Sequence, residues 1–163
     1  MKQKPRILTN TKIKDRRLDL DLSEVEVAHR SSLTICELGD IEAYANEVYD
    51  TVPLYHVKKL CVALGTDFME LLEVSCDFCS GLPFLDEYWL RRDVLIHEKL
   101  ENARLSEVQV ADFMGFEEAE IRMLKTYTAH LESWSVEHIL MLAKYLGVPP
   151  QILLDVKCKI CGR

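Results

Sequence analysis

The stretch LSEVEVA at residues 22–28 recurs as LSEVQVA at residues 105–111, which is 83 positions later. In each occurrence the second residue is a serine, the residue type that most often caps the first turn of a helix. The apolar residues after it repeat with helical spacing. A repeat of this length predicts that the chain contains two copies of one structural unit.

The agreement continues towards the end of each copy, at an offset of 82. The matched positions are Leu60, Leu64, Gly65, Leu71, Leu72 and Val74, which recur as Leu142, Leu146, Gly147, Leu153, Leu154 and Val156. The motif Cys-x-x-Cys also occurs twice, at residues 76–79 and 158–161. Gly81 and Pro83 interrupt regular structure between the copies. The sequence therefore predicts an internal duplication with its boundary near residue 81.

Charge divides the chain differently. Residues 1–17 hold seven Lys or Arg and one Asp, a net charge of +6, which leaves −13 for the remaining residues. We predict a basic arm over residues 1–17 that runs into the first helix, a first domain over residues 11–81 and a second over residues 82–163. A basic segment of this kind is suited to phosphate, or is simply a solvated terminus.

The composition is that of a globular protein, with 48% hydrophobic and 29% charged residues. The sequence has no apolar run long enough for a membrane helix and no recognisable secretion signal, so we expect a cytoplasmic protein without membrane contact. It also lacks the phosphate-binding glycine loops and the spacing of a catalytic triad. We therefore expect no enzymatic activity.

Apolar residues recur with helical spacing nearly throughout, and strand signals are weak. We predict an all-α fold with five helices in each copy. The first five cover residues 13–20, 23–30, 34–44, 54–64 and 68–74. The second five cover residues 87–103, 107–113, 117–127, 136–146 and 150–154. Ser135 is the expected N-cap of the fourth helix in the second copy, and Gly147 its end.

This pattern resembles the Cro/lambda-repressor (XRE) family of helix-turn-helix proteins. The resemblance is carried by Leu-Ser-x-x-x-Val-Ala, a second helix, a leucine-rich helix that ends in Ala-x-x-Leu-Gly, and a short closing helix. The second copy matches from residue 105 to residue 154, and Leu38-Gly39-Asp40-Ile41-Glu42 resembles the end of the family's recognition helix. About 110 residues are covered. The resemblance implies two tandem helix-turn-helix domains and binding to duplex DNA.

The family places its third helix in the major groove of DNA, with the first residues of that helix towards the bases. In this sequence the corresponding positions are Thr34, Ile35, Cys36, Glu37, Gly39 and Asp40 in copy one, and Glu117, Glu118, Ala119, Glu120, Arg122 and Met123 in copy two. Glu24 and Glu107 stand where the family has a phosphate-binding glutamine. Carboxylates oppose contact with phosphate, although a glutamate can accept a hydrogen bond from cytosine.

The candidate DNA contacts combine this helix with the basic arm. They are Lys12, Lys14, Arg16, Arg17, Thr34, Cys36, Glu118, Arg122 and Lys125. The acidic residues of the third helix have a second explanation, because carboxylates in a first turn stabilise a helix by roughly 0.3–1 kcal/mol each.

The two Cys-x-x-Cys motifs predict a metal centre. Four thiolates, Cys76, Cys79, Cys158 and Cys161, match a tetrahedral structural zinc site. Because each copy ends in one pair, the metal would join the two copies, within one chain or across a homodimer. Two disulfides, free thiols or a redox pair are the alternatives, and a reducing cytoplasm disfavours the disulfides. Cys61 has the position of a small core residue.

The sequence as a whole predicts a DNA-binding transcriptional regulator built from two XRE-like domains and a shared zinc ion. The alternative is an interaction module such as an adaptor, antirepressor or antitoxin, which keeps the fold and binds a protein partner through its acidic helices.

Overall fold

A computed structural model of the chain describes residues 8–81, 91–102 and 106–163. The first half holds six helices: α1 (Thr9–Asp19), α2 (Glu24–Ser31), α3 (Ile35–Ala43), α4 (Glu47–Asp50), α5 (Leu54–Ala63) and α6 (Phe68–Leu71). The second half holds α7 (Arg92–Asn102), α8 (Glu107–Met114), α9 (Glu118–Thr126), a 3-10 helix (Thr128–Ser133), α10 (Val136–Leu146) and α11 (Pro150–Leu153). The described residues are mostly helical and form no strand. The predicted all-α class is confirmed.

Side-chain caps explain where the central helices begin. Ser23, Thr34 and Ser106 each accept a hydrogen bond from the backbone three residues on, and the side chain at that position bonds back to the backbone of the cap. This reciprocal box satisfies amide groups that the first helical turn leaves free. Ser32 and Gly115 end α2 and α8 in the left-handed conformation, which lets the chain turn directly into the next helix.

Several predicted helix limits differ from the observed ones. Helix α1 starts at Thr9, so residues 9–17 of the predicted basic arm belong to a helix, while residues 1–7 lie outside the described residues. Helix α7 starts only at Arg92, because Arg91 is not helical, and the earlier part of the predicted helix 87–103 lies outside the described residues. Helix α6 ends at Leu71 and does not reach residue 74.

Helix α4 and the 3-10 helix are absent from the sequence prediction, which treated both segments as loops. Each is short and carries one fully buried apolar side chain, Val48 in α4 and Leu131 in the 3-10 helix. Packing on the rest of the protein stabilises such short helices, since fewer than about 12 residues are marginal on their own.

Elements recur between the two halves with the spacing of the sequence repeat. Helices α1, α2 and α3 begin 83 positions before α7, α8 and α9, and α5 and α6 begin 82 positions before α10 and α11. The backbone conformation follows the same rule, because Glu73 and Asp155, which lie 82 positions apart, both have a φ near +50°.

The helices of each half pack on one another, and their buried apolar side chains join in one cluster that runs through both halves. In the first half α1 contacts α3 and α6, and α2 contacts α3 and α5. In the second half α7 contacts α9 and α11, and α8 contacts α9 and α10. Fully buried side chains recur at equivalent core positions, such as Ile13 with Ile96 and Leu60 with Leu142.

The halves contact each other through an exchange of equivalent elements. Helix α4 packs on α10, while the 3-10 helix, which follows α9 as α4 follows α3, packs on α5. Pro53 and Ser135, at equivalent positions, form an isolated antiparallel bridge with each other. The amide of Leu54 donates to the carbonyl of Trp134 at 2.8 Å. This is the contact pattern of two units related by a two-fold axis.

In the part of the chain that the structure describes, no helix has both the length and the apolar character needed to span a membrane.

Candidate metal centre and nucleic-acid interface

The four cysteines of the two Cys-x-x-Cys motifs come together at the junction of the two halves. Their sulfur atoms all lie within 4.8 Å of one another. The Sγ atoms of Cys76 and Cys161 are 3.6 Å apart, and those of Cys79 and Cys158 are 3.7 Å apart. All four belong to one chain, and each short distance joins a sulfur of one half to a sulfur of the other.

These distances fit a tetrahedral set of metal ligands. Four sulfurs at about 2.3 Å from a central zinc stand about 3.8 Å from one another. A disulfide would need a sulfur–sulfur distance of about 2.05 Å, and all four cysteines are free. Cysteine sulfurs in this arrangement are able to hold a metal ion, and thiolate sets of this kind select zinc or iron.

The second motif forms a tight turn around its first sulfur. The amide of Ile160 donates to Cys158 Sγ at 3.4 Å, and the amide of Gly162 donates to the carbonyl of Cys158 at 2.8 Å. Hydrogen bonds from the backbone of Cys161 and Ile160 lower the pKa of Cys158 to about 7. Gly162 has a φ of +76°, a conformation that glycine adopts without strain. The turn therefore favours the thiolate form that binds metal.

The first motif turns in a similar way but one residue later. Ser80 donates its amide to the carbonyl of Cys76 at 3.1 Å, and Gly81 has the positive φ, +96°. Burial raises the pKa of Cys76, against a hydrogen bond from the Cys79 backbone that lowers it.

Gln151 is a residue of this centre that the sequence analysis missed. It lies on α11, is 1% exposed, and its Nε2 donates to Cys76 Sγ at 3.6 Å. The equivalent residue of the first half is Met69. That single polar difference inside a buried, otherwise matching position is the signal from which it could have been found.

The predicted basic contacts on α1 are mostly engaged within the protein. Lys12 pairs with Glu73 at 2.6 Å, and Nε of Arg16 donates to the carbonyl of Leu64 at 2.9 Å. Lys14 is exposed.

Arg17, which the sequence predicts as a DNA contact, is buried and paired inside the first half. It is 6% exposed, and Nε and Nη2 donate to the two carboxylate oxygens of Glu42 at 2.7 and 2.8 Å. The pair links α1 to α3 inside the first half. The side chain of Arg17 thus serves the fold, because a guanidinium and a carboxylate satisfy each other in this two-point geometry.

The start of helix α3 carries an acidic side chain and no basic one. Thr34 is the N-cap, and its hydroxyl and amide both donate to the carboxylate of Glu37. Cys36 is exposed two residues after this cap, in the first turn of the helix. The helix sequence ICELGDIEA contains no lysine or arginine.

The two predicted cations of α9 are paired with carboxylates. Arg122 contacts Glu118 within the helix, and its Nε donates to Glu107 at 3.0 Å. Lys125 reaches Glu107 at 2.9 Å and Glu101 at 3.3 Å. Hydrogen bonds from Lys125 and Arg122 hold the pKa of Glu107 below its ordinary value. These contacts neutralise the positive charge that a phosphate would otherwise meet.

Cys61 stands apart from the metal centre. It lies on α5, is 4% exposed, and burial raises the pKa of its thiol to about 12. Its predicted role as a small core residue is confirmed.

Comparison of the chain with protein-family models, with curated proteins and with solved structures finds no match.

Proposed function

We propose that Cys76, Cys79, Cys158 and Cys161 bind one structural zinc ion, which joins two helix-turn-helix units of the lambda-repressor type. The recurrence of helices at offsets of 82 and 83 supports the duplication. The three-residue turns between α2 and α3 and between α8 and α9 support the helix-turn-helix motif. The residues fit the metal because four free thiols converge within 4.8 Å of one another. As thiolates they supply the four ligands that a structural zinc ion takes.

We propose further that the two units together bind duplex DNA as a transcriptional regulator. The observation that carries this proposal is the exchange of equivalent contacts between the halves, α4 with α10 and the 3-10 helix with α5. Proteins of this class bind DNA as two-fold pairs that place two third helices about one turn of DNA apart. On this proposal α3 and α9 of one chain take the place of the two third helices of such a pair.

A recurrence on the surface supports a binding role for the same helices. Val25 and Val108 are 59% and 47% exposed near the start of α2 and α8, and Tyr44 and Tyr127 are 62% and 60% exposed at the end of α3 and α9. Exposed apolar side chains contribute little to a core, so these four residues are accessible to a partner.

Electrostatics favours a second candidate, a scaffold that binds a basic protein partner. The cations of α9 are paired with Glu101, Glu107 and Glu118, and α3 contains none. Cation contacts with phosphate supply most of the affinity of a protein for DNA, so an acidic third helix opposes groove entry.

Salt-dependent DNA binding separates the two candidates. A labelled duplex of random sequence is titrated with zinc-loaded protein at about 50 and about 200 mM salt. A DNA-binding protein with six or more phosphate contacts loses about 1,000-fold or more in affinity over this range. Tyr44→Ala with Tyr127→Ala should weaken binding, while Val62→Ala, which changes an even more exposed apolar residue on α5, should not. Absence of binding at the lower salt, with the protein folded and loaded, would favour the protein partner.

Zinc has its own direct test. Elemental analysis of protein purified under reducing conditions should give about one zinc per chain. Iron in place of zinc would correct the identity of the metal and support the four-cysteine site. A metal content near zero would overturn the proposed centre.

A further inference from the structure

We infer that Gln151 is a positioning residue of the metal centre, whose side-chain amide crosses from α11 to the first motif and holds the Cys76 sulfur as a ligand. This inference rests on the proposed zinc site and adds a residue outside the four ligands. The contact is the 3.6 Å hydrogen bond from Nε2 to Cys76 Sγ. It joins the two halves through a side chain that is not itself a ligand.

The burial of the Gln151 amide should destabilise the fold unless another interaction compensates for it. Gln151 is 1% exposed, and within the described residues its Oε1 has no hydrogen-bond partner. A buried amide without its full set of partners destabilises a fold by about 1–3 kcal/mol. A thiolate accepts hydrogen bonds and does not donate them, so a metal-bound Cys76 fixes which end of the amide faces the sulfur.

The equivalent position in the first half shows that packing does not require glutamine. Met69 lies there, 6% exposed, and serves the same place on α6 with an apolar side chain of similar length. The amide is therefore present only in the half that faces Cys76.

The sulfurs of Cys76 and Cys158, the first cysteines of the two motifs, receive hydrogen bonds from different donors. Cys158 receives backbone hydrogen bonds from Ile160 and Cys161 within its own turn. Cys76 receives one from the backbone of Cys79, in a turn whose glycine comes one residue later. Gln151 adds the second donor to Cys76 from outside the turn. Four thiolates around a divalent ion carry a net negative charge, which N–H donors stabilise while they orient the ligands.

The test compares Gln151→Met, which copies the residue of the other half, with Met69→Leu as a control that changes packing at the equivalent position. Zinc affinity is measured by competition with a chelator, and the sulfur-to-metal charge-transfer band is recorded after cobalt substitution. We expect Gln151→Met to weaken zinc binding by about 10–100-fold and to shift the cobalt band. Met69→Leu should leave both unchanged. The metal-free protein should lose no stability in Gln151→Met, because the variant removes a buried polar group.

Zinc binding by Gln151→Met within about twofold of the wild type, with an unshifted cobalt band, would overturn the inference. Should that variant fail to fold, Gln151→Glu retains the shape of the side chain but directs a carboxylate towards the thiolates, and it must also bind zinc more weakly. A wild-type protein that gives no tetrathiolate cobalt spectrum would instead overturn the proposed zinc site, so the two failures are distinct.

Discussion

In each half an ion pair connects the first helix to the third, but the helix that carries the cation differs between the halves. In the first half Arg17 on α1 meets Glu42 on α3, with side chains only 7% and 5% exposed. In the second half the equivalent positions hold Leu100, which is buried, and Lys125 on α9. The cation thus lies on the first helix in one half and on the third helix in the other.

The difference in exposure changes what each contact contributes. Lys125 is 26% exposed, and its partners Glu101 and Glu107 are 51% and 20% exposed. An exposed ion pair stabilises a protein by about 0–1 kcal/mol, whereas loss of one partner from a buried pair leaves a charge without compensation. Although the two halves share one arrangement of helices, their stability is therefore sensitive to mutation at different residues.

The largest expected effect breaks the link between the halves. Chelation of the metal, or Cys158→Ser, should remove about 4 kcal/mol of unfolding free energy when the free zinc had been about 1,000 times its Kd. The buried apolar residues form one cluster through both halves, so loss of the metal should lower the temperature of one unfolding transition and not divide it into two. Calorimetry with and without chelator measures this. One unchanged transition in both conditions would show that the halves are coupled by packing alone.

The next effect distinguishes the buried pair from the exposed one. Glu42→Gln removes the two-point partner of the buried Arg17, leaves it only the longer 3.4 Å contact with Glu24, and should cost about 3 kcal/mol of unfolding free energy. Lys125→Met removes the matching contact of the second half and should cost about 0.5 kcal/mol or less. Urea denaturation of both variants gives the values. Equal costs would mean that exposure does not separate the two contacts.

A smaller effect is expected when the first half receives the arrangement of the second. Arg17→Leu together with Glu42→Lys copies Leu100 and Lys125, and the introduced lysine has Glu24 available as Glu107 is to Lys125. The double variant should cost about 1 kcal/mol, much less than the sum of its single changes, because neighbouring substitutions in one network are not additive. A double-mutant cycle measures the coupling. Simple additivity would contradict the equivalence of the two positions.

The smallest effect concerns acid sensitivity of the helix starts. Hydrogen bonds from the backbone and then the side chain of Ser23 lower the pKa of Glu26, and those of Thr34 lower the pKa of Glu37. A lowered folded-state pKa gives stability above the ordinary glutamate pKa, and this stability is lost as the pH falls through the folded value. In the second half Gln109 has the same capping role without a titrating group.

Glu26→Gln should therefore leave the melting temperature at pH 7 almost unchanged and reduce its decline between about pH 5 and pH 3. Gln109→Glu is the converse control and should introduce such a decline at α8. Melting curves over this pH range give the comparison. An identical decline in wild type and Glu26→Gln would show that the cap does not titrate in the folded protein.

Local signals in the sequence predicted much of this structure. The serine caps at Ser23 and Ser106, the glycine ends at Gly115 and Gly147, and the helical spacing of the core all act within a few residues, so each was visible without tertiary information. The four ligands were found for a related reason, since a motif that recurs at the end of each copy predicts a shared site.

Contacts across the fold decided the rest. Helix α4 and the 3-10 helix exist because Val48 and Leu131 are buried against distant segments, and no local pattern in so few residues predicts this. Arg17 carried the same sequence signal as its basic neighbours, yet the position of Glu42 on another helix turned it inward. Gln151 became part of the metal centre only when folding brought α11 against the first motif.

The sequence by itself determined the helical class, the repeat and the identity of the four clustered cysteines, because periodicity, caps and motif spacing are properties of neighbouring residues. Tertiary structure decided which charges are neutralised, which basic residues remain at the surface and how the two halves face each other. Those properties depend on distances between residues far apart in the chain, and only packing fixes such distances.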